Sequence, residues 1–104
     1  MNQKVILQAQ RCTSFWQKSV GMLAYKKPIT IYFETRFGIH TFGLKLPIDV
    51  VILNKKNQVI KLFKNLKPNQ IFLWNPLYKK VIEMPEGYIN KKNIAHGTTI
   101  IVQM

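Results

Sequence analysis

The chain has 104 residues, with 16 Lys or Arg against 4 Asp or Glu and a net charge of +12, which allows one small domain. Its 47% apolar content is enough for a core and excludes a disordered polyelectrolyte. The four acids, Glu34, Asp49, Glu83 and Glu86, leave little for a multi-carboxylate metal cage or a two-carboxylate glycosidase site.

In chain order, Lys4 to Ala9 predicts a first strand in which Leu7 spoils the alternation. Thr13 or Ser14 then caps a short helix over about Phe15 to Leu23, weakened by Gly21. Ile29 to Phe33 is β-branched and aromatic and reads as a strand, with Thr30 and Tyr32 on one face. Gly38 and Gly43 bracket a short strand, Ile39 to Phe42. After Pro47, the run Asp49 to Leu53 is too short for a helix and suits a strand buried on both faces. Asn54 to Asn57 is a polar turn, from which Val59 to Phe63 returns as the second arm of a hairpin. Val59, Leu62, Phe63 and Leu66 also fit a helical face, but the turn before them and Pro68 after them favour a strand. Gln70 to Trp74 and Tyr78 to Met84 are further strands, Glu86 to Lys92 a helical turn, and Thr98 to Val102 a closing strand.

The whole is expected to be one α+β domain over residues 1–104. It should be a compact, mainly antiparallel, barrel-like sheet of about 6–8 short strands with one or two short helices. Cys12 is the one cysteine, so neither an intrachain disulfide nor a cysteine zinc cluster is available, and it reads as a small part-buried apolar residue. The Val5–Leu7 run is too short for a signal-peptide core, and no apolar run reaches the ~20 residues of a membrane span. A cytoplasmic location is the expectation.

The segment Ile39-His40-Thr41-Phe42-Gly43-Leu44-Lys45-Leu46-Pro47-Ile48-Asp49-Val50-Val51-Ile52-Leu53 resembles the core motif of the domain of unknown function 192 family, roughly I-H-T-F-G-M-(R/K)-F-P-I-D-V-V-F-L-D. Leu44, Leu46 and Ile52 depart from that pattern but keep its apolar character, and Asn54 stands for its final aspartate. Thr13 to Lys18 with Gly21-Met22-Leu23 is similar to the family's R-T-F-W-x-R-x-x-G-L. Val81 to Gly87 is similar to V-L-E-L-P-A-G. Ile94 with Gly97 is similar to G-(L/I)-x-x-G-D, with Asn93 for its first glycine and Thr98 for its aspartate. The resemblance covers about residues 12–102. It implies a small β-rich, barrel-like α+β domain, and no activity, cofactor or substrate.

The motif residues His40, Thr41, Phe42, Pro47 and Asp49 are the candidate pocket. Asp49 leads into an apolar strand, so its carboxylate must be hydrogen-bonded or paired. The expected partners are backbone N–H groups of the preceding loop, which would lock the bend at Pro47. The rival role for Asp49 is a polar site shared with His40, whose ring otherwise satisfies a buried carbonyl or Asp49 itself. Glu83, before Met84-Pro85, is expected at a strand end, accepting turn N–H groups or pairing with a surface lysine. No spacing here makes a metal site, a nucleophile elbow or a phosphate loop, so no metal, cofactor or catalytic residue is assigned.

Lys26, Lys27, Lys55, Lys56, Lys79, Lys80, Lys91 and Lys92 form pairs in or beside turns and are the candidate basic surface. Exposed aromatics among them would favour single-stranded nucleic acid, with Tyr25, Trp74 and Tyr78 the candidates and Trp74 more suited to the core. With 14 Lys and 2 Arg, bidentate base readout is not expected. The leading reading is a non-enzymatic binding or accessory module whose motif residues chiefly maintain the fold. Its rivals are non-specific binding of nucleic acid or an acidic partner through lysines, and a small-ligand pocket or weak enzymatic site at His40 and Asp49.

Overall fold

The computed structural model describes residues 3–11, 29–36, 38–41 and 46–104. The helix expected over about Phe15 to Leu23, with Cys12, Tyr25, Lys26, Lys27 and Phe42, lies outside them. The described strands are β1 (Lys4–Gln8), β2 (Gln10–Arg11), β3 (Ile31–Glu34), β4 (Gly38–His40), β5 (Ile48–Leu53), β6 (Val59–Leu66), β7 (Ile71–Leu73), β8 (Lys80–Pro85) and β9 (Thr99–Gln103). One short helix, α1 (Tyr88–Lys91), separates the last two.

β5 is the keystone. Every residue from Ile48 to Leu53 is buried, Asp49 among them, as a strand paired on both sides with a core on each face requires. It pairs antiparallel with β8 on one side and β6 on the other. The main sheet has the order β2-β3-β8-β5-β6, while β1 with β9 and β4 with β7 form two-stranded ladders. Fully burying an aliphatic side chain is worth about 1.5–3 kcal/mol, and Val50, Val51 and Ile52 are all at 0% exposure.

The helical spacing in β6 has a cause in its register. Leu53 faces Val59 and Val51 faces Leu62, so three steps on β6 match two on β5. The same mismatch recurs from Phe63 to Leu66 against Val50 to Ile48. Two bulges therefore insert extra residues into a strand and imitate a helical period. In β1 the alternation does hold: Val5 and Leu7 point inward, and Ile6 is the outward residue, 55% exposed.

No closed barrel forms among the described residues, and the strands number nine where 6–8 were expected. The excess comes from two- and three-residue strands, and the pairings of β1 with β9 and β2 with β3 are parallel. The ladders nevertheless run most of the way round. β1 continues through Ala9 into β2, with Ala9 N–H donating to Gln103 O (2.9 Å) and Gln10 N–H to Thr30 O (3.0 Å). On the far side β6 meets β9 through one bridge, Gln58 with Thr99, and Val59 N–H donates to Thr98 O at 2.9 Å. Beyond Val59 the two strands part, which leaves the ring unsealed.

The main sheet has a core on each face. One gathers Leu7, Tyr32, Val51, Leu53, Val59, Ile82, Met84, Ile89, Ile94 and Ile100. The other gathers Ile31, Phe33, Val50, Ile52 and Val81 under the β4–β7 ladder, which contributes Ile39 and the partly buried Phe72.

Candidate functional site

Asp49 lies on the first of these faces, opposite Met84, and is 2% exposed. The sequence suggests partners in the preceding loop; among the described residues they lie on two remote elements. Oδ1 accepts the N–H of Asn65 at 2.9 Å, and Oδ2 accepts those of Gly87 and Ile89 at 3.1 and 3.0 Å. Asn65 sits in the β6 bulge with φ 56°, which turns its N–H out of the ladder and toward the carboxylate. Gly87 opens α1 in the left-handed region (φ 90°) and brings no side-chain cap. Asp49 is therefore an N-cap imported from a neighbouring strand. It satisfies two orphan donors of the helix and one of the bulge.

Thr41 follows β4 and is fully buried. Its hydroxyl donates to Lys67 O (2.7 Å) and accepts from Gln70 N–H (2.9 Å). Its backbone N–H donates to Gln70 O (2.8 Å) and its carbonyl accepts from Asn69 N–H (3.0 Å). Thr41 thus ties the β6–β7 turn to β4 with both backbone and side chain. His40 is exposed and opposite Ile71 in the β4–β7 ladder. His40 and Asp49 occupy different sheets, and both carboxylate oxygens of Asp49 are taken by backbone N–H groups. Pro47 is half-buried and leads into β5.

Departures from the family-like pattern have local reasons. Asn93 has φ 56° just past the end of α1. Asn93 N–H donates to Asn90 O (3.1 Å) and Ile94 N–H to Ile89 O (2.9 Å), the paired bonds of a Schellman cap. Glycine suits that left-handed position best and asparagine next. Asn54 Oδ1 accepts the N–H groups of Lys56 (2.9 Å) and Gln58 (3.0 Å), an acceptor role open equally to aspartate.

The lysine pairs divide by task. Lys79 pairs with Glu34 at 3.5 Å. Lys80 Nζ donates to Asn57 Oδ1 (2.7 Å) and Lys55 O (3.4 Å), holding the β5–β6 turn. Lys55, Lys56, Lys91 and Lys92 are exposed, and Lys91 Nζ lies 5.4 Å above the Tyr88 ring. Three exposed lysines absent from those pairs matter as much: Lys61, Lys64 and Lys67, on or just after the edge strand β6. Lys64 Nζ donates to Asn90 Oδ1 (2.8 Å), which joins β6 to α1. Trp74 is in the core, its Nε1–H bonded to Tyr78 O at 2.7 Å.

Glu83 departs most from expectation. β8 runs on through Met84 to Pro85, so Glu83 lies inside a central strand and not at its end. It is 6% exposed, and no described residue gives its carboxyl a hydrogen bond or an ion pair. Burial pushes the carboxyl up from its ordinary 4.5 to about 7. Burial also raises Tyr32 to about 12, helped by its hydrogen bond to Glu34 (2.8 Å). That same bond, with Lys79 and Arg11 nearby, holds Glu34 below its usual range. No group of three or more His, Cys, Asp or Glu among the described residues is placed to hold a metal, and no described helix is long and apolar enough to cross a membrane.

Residues 2–102 match the family model of domain of unknown function 192 (DUF192), described as "Uncharacterized ACR". No curated protein matches. Among solved structures, a protein of unknown function from Novosphingobium aromaticivorans DSM 12444 superposes with a TM-score of 0.74 at 12% identity, over 86% of this chain and 70% of that one. A proposed transcription regulator from Sinorhizobium meliloti 1021 gives 0.70 at 13% identity, over 86% and 76%. At such identities the likeness concerns the fold alone.

Proposed function

This chain belongs to the DUF192 family, and from that premise we propose that it is a single-domain, cytoplasmic, non-enzymatic binding or accessory module with a barrel-like frame. One observation carries the reading: the two buried polar side chains of the motif, Thr41 and Asp49, spend their hydrogen-bonding capacity on backbone groups of the chain itself. A group so occupied holds a scaffold together and is not poised for a reactant. The test is to compare Asp49→Asn and Thr41→Ser with wild type for cooperative unfolding and for retention of whatever ligand a screen identifies. Variants that lose ligand in proportion to lost folding support the scaffold role. A variant that folds fully and loses all binding or any turnover refutes it.

A second reading, non-specific polyanion binding, is favoured by the Lys64–Asn90 bond. It brings the exposed Lys64 of the β6 edge beside α1, at whose end Lys91 and Lys92 lie. Such a surface binds short DNA or RNA with log affinity falling linearly in log salt, by about 0.7–0.9 per phosphate neutralised. Fluorescence anisotropy at 20 to 200 mM salt measures that slope. Binding that is absent at the lowest salt, or flat across the range, refutes it.

A further inference from the structure

Ile71, Leu73 and Leu77 are 62%, 67% and 73% exposed, all on one short stretch of chain. Alternation along β7 turns Phe72 toward the core and Ile71 and Leu73 outward. Their cross-strand partners on β4 are His40 and Gly38. A Cβ at position 38 would stand 2.7 Å from Leu73 Cδ2, so glycine there leaves the leucine its room. Leu77 lies in the turn from Asn75 to Tyr78, which Tyr78 N–H closes by donating to Asn75 O (3.0 Å). Asn75 Oδ1 accepts Leu77 N–H (3.0 Å), and Arg36 Nη1 donates to Pro76 O (3.0 Å). Exposed loop tips are ordinarily small and polar. Here a braced turn holds a leucine out in water.

The charge around this strip has one sign. From Arg36 to Ile48 and from Lys67 to Lys80 the sequence contains no acid. Arg36 borders the turn, and Lys67, whose carbonyl takes the Thr41 hydroxyl (2.7 Å), borders the other end of the β4–β7 ladder. Both are exposed. Glu34, close by in sequence, is already paired with Lys79 (3.5 Å) and bonded by Tyr32 (2.8 Å). We propose that this strip docks the protein on an anionic membrane surface. Leu73 and Leu77 enter the interface, while Arg36 and Lys67 meet the headgroups. This gives the binding-module reading a partner and rests on it.

Charge selects this occupant over a second copy of the chain. Each copy carries +12, so pairing two strips would bring like charges together. An anionic leaflet attracts each nearby cation instead, over about a Debye length. Side-chain chemistry favours lipid over a folded acidic partner. Aliphatic groups that stand out of the surface can enter a fluid interface without a shaped cavity to receive them. The chain's bases are 14 Lys against 2 Arg. Lysine is a point charge on a flexible stem, suited to headgroups that hold no fixed position. Inside a cell the anionic leaflet is the cytoplasmic one, which agrees with the proposed location.

The test is co-sedimentation with vesicles of phosphatidylcholine, alone or with about a third phosphatidylserine, at about 50 and about 500 mM salt. Wild type is compared with Leu73→Ser, Leu77→Ser and Lys67→Gln. All three side chains are exposed, and circular dichroism checks that the variants fold. Wild type should bind the phosphatidylserine vesicles alone, and more weakly at high salt. Each serine should weaken binding about three- to tenfold, and Lys67→Gln about fivefold. Leu77→Trp should add a tryptophan emission that shifts to the blue on binding and is quenched by brominated lipid. Absent binding at low salt, equal binding to uncharged vesicles, or serine variants that bind as wild type does overturns the strip. If polyglutamate binds where vesicles fail, and the serines weaken it, the partner is an acidic protein and the lipid surface is overturned. The Asp49→Asn and Thr41→Ser comparison judges the binding-module reading separately, so the two failures are told apart.

Discussion

Replacing Glu83 by glutamine should stabilise the protein, and only above acid pH. Glutamine keeps the shape of the side chain and removes its charge. In the folded chain burial holds the carboxyl near 7, against its ordinary 4.5. Below about pH 4.5 both folded and unfolded chains keep the proton, so burial carries no ionisation penalty. Between 4.5 and 7 the unfolded chain releases the proton and the folded chain holds it, so stability falls as pH rises. Above about 7 both have lost it and the penalty levels off. At about 1.36 kcal/mol per pH unit, the full penalty is roughly 3 kcal/mol, a large fraction of the 5–15 kcal/mol typical of a folded domain. The amide brings its own cost for poorly satisfied donors, but that cost does not vary with pH. The quantity to compare is therefore the change in unfolding free energy on substitution at pH 8.5 minus the same change at pH 4. It should be about +3 kcal/mol in favour of glutamine. Urea denaturation of both proteins at five pH values between 4 and 8.5 measures it, and equal slopes with denaturant show that the unfolded states are comparable. Every other titratable group is common to both proteins and drops out of the difference. A difference below 1 kcal/mol, or one of opposite sign, would refute the idea that burial raises the Glu83 carboxyl.

Asp49→Ala removes the acceptor for three N–H groups and should cost about 3–5 kcal/mol. Hydrogen exchange should accelerate first at Asn65, Gly87 and Ile89, and uniform acceleration across the sheet would count against the imported cap. Thr41→Val keeps the side chain's size but strands Gln70 N–H and Lys67 O, for a loss of about 1–3 kcal/mol in chemical denaturation. An unchanged midpoint would show that the β6–β7 turn holds without the hydroxyl. Asn93→Gly should be neutral to slightly stabilising, while Asn93→Ala should cost about 1–2 kcal/mol because alanine resists the left-handed region. Equal melting temperatures for the two variants would contradict the cap geometry at α1.

Where information was local, the sequence was readable. The β-branched run of β5, the asparagine turn after it and the returning β6 form the expected hairpin. What escaped was set by contacts distant in sequence. Asp49 announced that it needed partners, but Asn65 and Gly87 lie 16 and 38 positions away, and nothing local marks them as donors. Glu83 was misplaced because Met84-Pro85 reads as a strand end, whereas proline is tolerated as the last residue of β8. As bare composition, the asparagines say little about the fold. Yet Asn57, Asn65, Asn69 and Asn93 all have positive φ and are the non-glycine residues that do so in the described structure. The signal was present there, in a residue type that visits this region more readily than most.

The parallel pairing of β1 with β9 has a consequence in time. Gln8 and Gln103 are bonded across 95 positions, so the first strand emerges from a ribosome long before its partner exists. At about 5–20 residues per second, β1 waits on the order of 5–20 s with Ile6 and Leu7 unpaired. The β5–β6 hairpin is complete well before then. Closure of this ladder is thereby deferred until β9 has emerged, and the growing chain offers an open β-edge that a chaperone, or a neighbouring nascent chain, can meet first.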